Sequence, residues 1–283
     1  MKRLALNQAT TERWTVAEAV DGCVRAGIGA IGLWRRQVGE AGLAASAAAV
    51  RAAGLHVSSL CRGGFFTATD PAERAAALAD NRRAVDEAAE LAADVLVLVS
   101  GGLPPGSRDL PGARAMVADA LDELVPYALR AGVRLGIEPL HPMFCADRCV
   151  VSTLDQALNL ALRYPTEAVG VVVDTYHVWW DPQVLNQIAR AAAGGRIASY
   201  QVCDWLTPLP ADVLLGRGQP GEGHIDFTPM TRAVIDGGYT GDIEVEIFNQ
   251  AVWDAPAAET VQRTIDAFTS AVGVDLGVDA LRA

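Results

Sequence analysis

Eight short apolar runs, separated for the most part by ten or more residues of helical period, constrain this chain more than any other feature. They read "RLALN" (3–7), "AIGLW" (30–34), "HVSSL" (56–60), "VLVLVS" (95–100), "RLGIEP" (134–139), "GVVVD" (170–174), "IASYQV" (197–202) and "DIEVEI" (242–247). Between them lie segments of 3.6-residue period such as 15–28, 71–93 and 113–133, several of which end at Gly, as helix C-termini do. Near-continuous apolar strands alternating with helices imply a parallel sheet with both faces covered. With eight units in 283 residues, closure into a single-domain (β/α)8 TIM barrel over residues 1–283 is the expected fold, ahead of a doubly wound open sheet. The tail "VDLGVDALRA" (274–283) is expected outside the barrel.

Charge and cysteine content narrow the function. The formal charge is −11, and no Lys/Arg cluster offers the basic face that a nucleic acid or anionic membrane needs. No run of about 18 uncharged apolar residues is present, and the N-terminus lacks the pattern of a signal peptide, so a cytoplasmic protein is expected. The five cysteines are scattered and read as reduced thiols.

A TIM barrel carries its chemistry at the C-terminal ends of its strands. There the fifth run ends in Glu138, the sixth in Asp174, the seventh in Gln201 and the eighth in Glu246, each followed three residues later by a polar side chain: His141, His177, Asp204 and Asn249. The first member of each pair is expected to point to the barrel axis and the second to face a ligand above it. Three carboxylates and an amide oxygen converging on one axis repel each other unless a cation lies among them. All-oxygen ligation favours Mn2+ or Mg2+ over zinc.

The stretches "GIEPLHP" (136–142), "VVVDTYH" (171–177), "YQVCDW" (200–205), "GRGQPGEGHIDF" (216–227) and "IEVEIF" (243–248) resemble the xylose isomerase-like TIM barrels, a family of sugar isomerases and epimerases with distant endonuclease IV relatives. The resemblance covers nearly the whole chain. It implies that Glu138, Asp174, Gln201 and Glu246 are the metal ligands, with Gln201 standing where the family commonly has His. It further implies that Glu138 and Glu246 act as the acid/base pair, that His177 holds substrate oxygens, and that Arg217, on the Gly-rich loop after the seventh strand, faces substrate; His141, three residues after Glu138, is a further substrate-binding candidate. Glu244 competes with Glu246, because residues two apart on a strand share a face. The resemblance favours Glu246, which directly precedes Ile247-Phe248.

The expected activity is isomerisation or epimerisation of a ketose, cyclitol or related sugar through an enediolate. The alternative is a lyase, dehydratase or C-glycoside deglycosidase subunit acting on a 3-keto sugar by the same proton abstraction. The expected partner is a small sugar-like substrate, with a homo-oligomer or a second subunit as further possibilities. Trp34, Trp179, Trp180 and Trp205, all just past strands, suit the walls of such a site. His56, at the start of the third run, reads as structural, and no nucleotide cofactor is expected.

Overall fold

The computed structural model describes residues 3–273, so the tail 274–283 lies outside the described residues. Eight parallel strands form a closed barrel: β1 (Leu4–Asn7), β2 (Ala30–Trp34), β3 (His56–Gly64), β4 (Leu96–Val99), β5 (Leu135–Glu138), β6 (Val169–Asp174), β7 (Ile197–Val202) and, after a short two-stranded ribbon, β10 (Ile243–Val245). Closure comes from β1 pairing with β10, with Ala5 opposite Glu244 and Leu6 opposite Val245. The ribbon is antiparallel: β8 (Asp204–Trp205) pairs with β9 (Arg217–Gly218).

The helices start and stop where local chemistry directs. The helix Val16–Ala26 opens with a capping box, in which Thr15 and Glu18 satisfy each other's backbone N–H groups, and closes at Gly27 with φ of 68°. Pro71 follows the cap Asp70 at the start of Pro71–Glu90, where a missing N–H costs nothing. Along β10 and the two residues after it the side chains alternate between two environments. Ile243, Val245 and Ile247 join the large apolar layer between strands and helices, while Glu244 and Glu246 turn inward. A second, smaller apolar cluster of Cys61, Val95, Val97 and Val172 fills the barrel lumen.

The third strand differs most from expectation. It runs to Gly64 rather than stopping at Leu60, with its pairing to β4 shifting between Leu60 and Gly63. The extension carries Cys61 and Arg62 to the barrel mouth. Gly64 must be glycine: its φ is 112°, and an added Cβ would lie 1.8 Å from the carbonyl oxygen of Val99.

Candidate active site

The mouth of the barrel opens into a cavity of about 470 Å³ whose lining includes Glu138, His177, Arg217 and Glu246 among polar groups and Trp34, Leu140 and Phe248 among apolar ones. Glu138 and Asp174 end β5 and β6, Gln201 lies within β7, and Glu246 follows β10; all four are buried.

Arg217 joins two of them. Its Nη1 donates to Asp174 Oδ2 at 3.0 Å, to Glu246 Oε2 at 2.9 Å and to the Glu246 carbonyl at 3.2 Å. The β8–β9 ribbon delivers the side chain, and the guanidinium lies between the rings of Tyr176 and Phe248, 4.9 and 5.0 Å from their centroids. Arg217 is therefore a fully buried counter-charge. The Gly-rich stretch expected as a substrate-facing loop is here a strand of the ribbon, whose pairs Trp205–Arg217 and Asp204–Gly218 lie 12 and 14 residues apart, a long-range pairing that no local pattern announces.

One arginine does not neutralise three carboxylates. Burial drives the Glu138 carboxyl well above its usual range, and the charges of Asp174 and Glu246 push the same way. Burial raises Asp174 too, against the pull of Arg217. Glu246 is lifted by burial to about 8, although Arg217 draws it down. His177 is held well below its normal value by burial and by the neighbouring Arg217, so its imidazole is neutral. Its Nε2 lies 3.0 Å from Arg217 Nη2, and its Nδ1 faces the backbone N–H of His141 at 3.2 Å.

Glu244 occupies a different environment one layer below. Its carboxylate accepts from Asn7 Nδ2 at 2.6 Å, Ser59 Oγ at 2.9 Å, Gln201 Nε2 at 3.1 Å and the Ser58 hydroxyl. Burial raises its pKa while these neutral donors oppose the rise. Gly32 makes room for it, since a Cβ there would come within 2.6 Å of the carboxyl group.

Several expected site residues lie elsewhere. Asp204 does not face the cavity: its two oxygens accept from the backbone N–H groups of Trp205, Gly221, Gly223 and Ile225 at 2.8–2.9 Å, holding the loop after β9. His141 packs against Trp180 and Trp205, outside the cavity lining. Of the four tryptophans only Trp34 lines the cavity, edge-on to Phe248 at 5.4 Å. His56 bridges Asp242 and Asp94 at the opposite end of the barrel. All five cysteines are free.

Among the described residues two clusters have metal-ligating atoms within 4.8 Å of one another: Glu138, Asp174 and His177; and Cys61, Glu244 and Glu246. Gln201 adds a signal of its own. Its Nε2 is committed to Glu244, while its Oε1 is buried without a partner, an arrangement that needs an external donor or a cation.

The sequence profile described as xylose isomerase-like TIM barrel matches residues 20–271. The chain belongs to the xylose isomerase-like TIM barrel family. Its relatives are named enzymes. The 3-dehydroshikimate dehydratase of Pseudomonas aeruginosa is 32% identical over 182 residues, covering 62% of this chain and 26% of that enzyme. The inosose isomerase of Bacillus licheniformis is 27% identical over 152 residues, covering 53% of this chain and 52% of that enzyme. The matched stretch thus spans about a quarter of the former and half of the latter. A crystal structure of a Sinorhizobium meliloti 1021 protein is 48% identical, with a TM-score of 0.93 over 95% of this chain and 98% of that one. The IOLI protein, solved with a bound zinc atom, shares the fold at 20% identity and a TM-score of 0.83, over 96% of this chain and 98% of its own.

Within this xylose isomerase-like barrel, sequence reasoning missed Cys61, Arg62 and Arg148 at the cavity. A signal for the first two existed. The polar pair Ser58-Ser59 inside an otherwise apolar run marks β3 as one whose inward face is polar, and a strand continued by two residues would have carried Cys61 to the mouth.

Proposed function

We propose that the protein is a metal-dependent enzyme that removes the α-proton of a hydroxy-ketone in a sugar, cyclitol or related ring, and that isomerisation or epimerisation is the outcome. The observation that carries this reading is the pair Glu138 and Glu246: two buried carboxyls at one cavity, both with pKa raised, only one of them fixed by Arg217. Carboxyls shifted toward neutrality are suited to take and return protons at physiological pH.

The donor set fits a divalent ion. Glu138, Asp174, Gln201 and Glu246 would hold it, with Mn2+ or Mg2+ favoured by the oxygen ligands. Two observations support the fit: the unpartnered Gln201 Oε1, and an excess of carboxylates over the single Arg217. Bound there, the ion would supply Lewis-acid polarisation of the substrate carbonyl.

The residues themselves do the rest. Arg217 orients Glu246 through Oε2, and burial raises this carboxyl toward neutrality, which suits it to accept the α-proton. Glu138, whose carboxyl burial also raises well above its usual range, is the group that returns a proton to the substrate. Trp34 and Phe248 form an apolar wall suited to the less polar face of a ring and to excluding water from the developing charge.

A second reading is dehydration, favoured by the match to 3-dehydroshikimate dehydratase. There the same proton is removed, a carbon–carbon double bond forms, and a β-hydroxyl leaves as water with a proton from the acid. Incubating the Mn2+-supplied protein in D2O with inosose and 3-dehydroshikimate separates the outcomes. Deuterium gain or isomer formation by NMR supports the first, and water loss to a conjugated product supports the second. Absence of both, across a panel of ketoses, inososes and 3-keto-glycosides with metal demonstrably bound, would overturn the proposal.

A further inference from the structure

We propose that the substrate is an oxyanion, bearing a carboxylate or phosphate group that Arg62 and Arg148 receive at the cavity mouth. The inference rests on the reading above, and it names the class of substrate.

Arg62 is the exception among the buried and partly buried arginines. Arg3 donates to the Tyr239 and Gly241 carbonyls, Arg35 pairs with Asp80 and Glu87, Arg196 donates to the Val169 and Tyr164 carbonyls, and Arg217 binds two carboxylates. The Arg62 guanidinium has no hydrogen bond or ion pair among the described residues, although it lines the same cavity as Glu138 and Glu246. It stacks on the Phe65 ring at 4.1 Å. Stacking covers a face of the guanidinium and fixes its plane, leaving the in-plane N–H groups for an acceptor, the geometry that suits bidentate recognition of carboxylate or phosphate. Burial lowers its pKa despite the nearby carboxyl groups, and the charge of Arg148 acts in the same direction. A cation held in this way lacks a counter-ion.

Arg148 lines the cavity as well. Its ion pairs are long, 3.6 Å to Asp147 and 3.9 Å to Asp212, so its donors remain open to a better acceptor. The charge balance also points to an anion. A neutral sugar would leave the Arg62 guanidinium without a hydrogen-bonded acceptor and Arg148 with only its long ion pairs, whereas an anionic group offers both a close acceptor. In a chain of net charge −11, attracting such a substrate requires a local cationic site of this kind.

The test measures binding to the full chain loaded with Mn2+ by calorimetry, using two matched pairs: 3-dehydroshikimate against its methyl ester, and fructose 6-phosphate against fructose. The pairs separate carboxylate from phosphate as the source of the anion. At least one anion should bind about 10- to 100-fold more tightly than its neutral partner, in line with charge-assisted hydrogen bonds. Arg62→Met, which keeps the stem over Phe65, should abolish that preference, and Arg62→Lys should restore only part of it because a point charge cannot form the fork. Arg148→Met should reduce the preference independently of any folding effect at position 62. Equal affinity within both pairs, no measurable binding of either anion, or a preference unchanged in Arg62→Met and Arg148→Met would overturn the proposal. Deuterium exchange into neutral ketones without anion preference would sink this inference alone, while anion preference without exchange or turnover of any ketone would sink the functional reading alone.

Discussion

Gln201 Nε2 donates to Glu244 Oε1 at 3.1 Å, and this bond decides which way the Gln201 amide faces. With its nitrogen committed to a carboxylate that also takes Asn7, Ser58 and Ser59, the amide oxygen is left buried and unpartnered. Glu244 thus acts on the candidate metal position indirectly, by orienting the Gln201 amide.

Gln201→Leu removes the orphan oxygen and one donor to Glu244. The purified variant, reconstituted with Mn2+, is expected to hold clearly less than the wild-type complement by elemental analysis. Gln201→His is expected to retain metal and shift its preference toward softer ions, because an imidazole nitrogen replaces an amide oxygen. Competition curves identical to wild type in both variants would remove Gln201 from the ligand set.

Arg217→Met leaves Asp174 and Glu246 facing each other without their shared cation. Breaking a buried ion pair in this way costs about 3–5 kcal/mol, which for a chain of this size is a fall in Tm on the order of 10 °C. Added Mn2+ should raise the Tm of the variant more than that of wild type, since the ion restores positive charge among the carboxylates. A variant as stable as wild type without metal would contradict the role given to Arg217.

His56 offers a pH test far from the site. Burial pulls its pKa down, but hydrogen bonds to Asp242 and Asp94 outweigh this and leave it raised. A histidine whose folded pKa lies above its unfolded value adds stability at low pH that is lost as pH rises through the folded value. The Tm difference between wild type and His56→Gln should therefore be largest below about pH 6 and fade in the alkaline range. A difference that grows with pH would reverse the assignment.

The barrel and most of the acidic floor were legible in the sequence because both rest on local pattern. Alternation of apolar runs with helical period gives the eight strands, and β5 and β6 end at Glu138 and Asp174, the polar residues that close those runs. What escaped depends on long-range geometry. Arg217 is buried because β9 pairs with β8, and Asp204 anchors a loop because four backbone N–H groups converge on it, neither of which has a period to read. Cys61 and Arg62 were lost at the edge of β3, where "CRGG" has the composition of a loop and the conformation of a strand. Glu244 and Glu246 share a face, as spacing two requires, yet only the structure shows that one meets neutral donors and the other Arg217.

That contrast supplies the most direct measurement: the rate of α-proton exchange into D2O, followed by NMR on any ketone the Mn2+-loaded wild type turns over, for Glu246→Gln and Glu244→Gln side by side. Glu246→Gln keeps an oxygen for the metal and for Arg217 but loses the base, so exchange is expected to fall by roughly 10²–10⁴-fold, with a smaller fall in Tm than Arg217→Met because Asp174 remains to pair with Arg217. Glu244→Gln sets an amide N–H₂ against existing donors, so it should lose about 1–3 kcal/mol of stability while retaining most of the exchange rate. If Glu244→Gln is the inactive variant and Glu246→Gln exchanges at nearly the wild-type rate, the base has been placed two residues too far along the chain and the proposed acid/base pair is wrong.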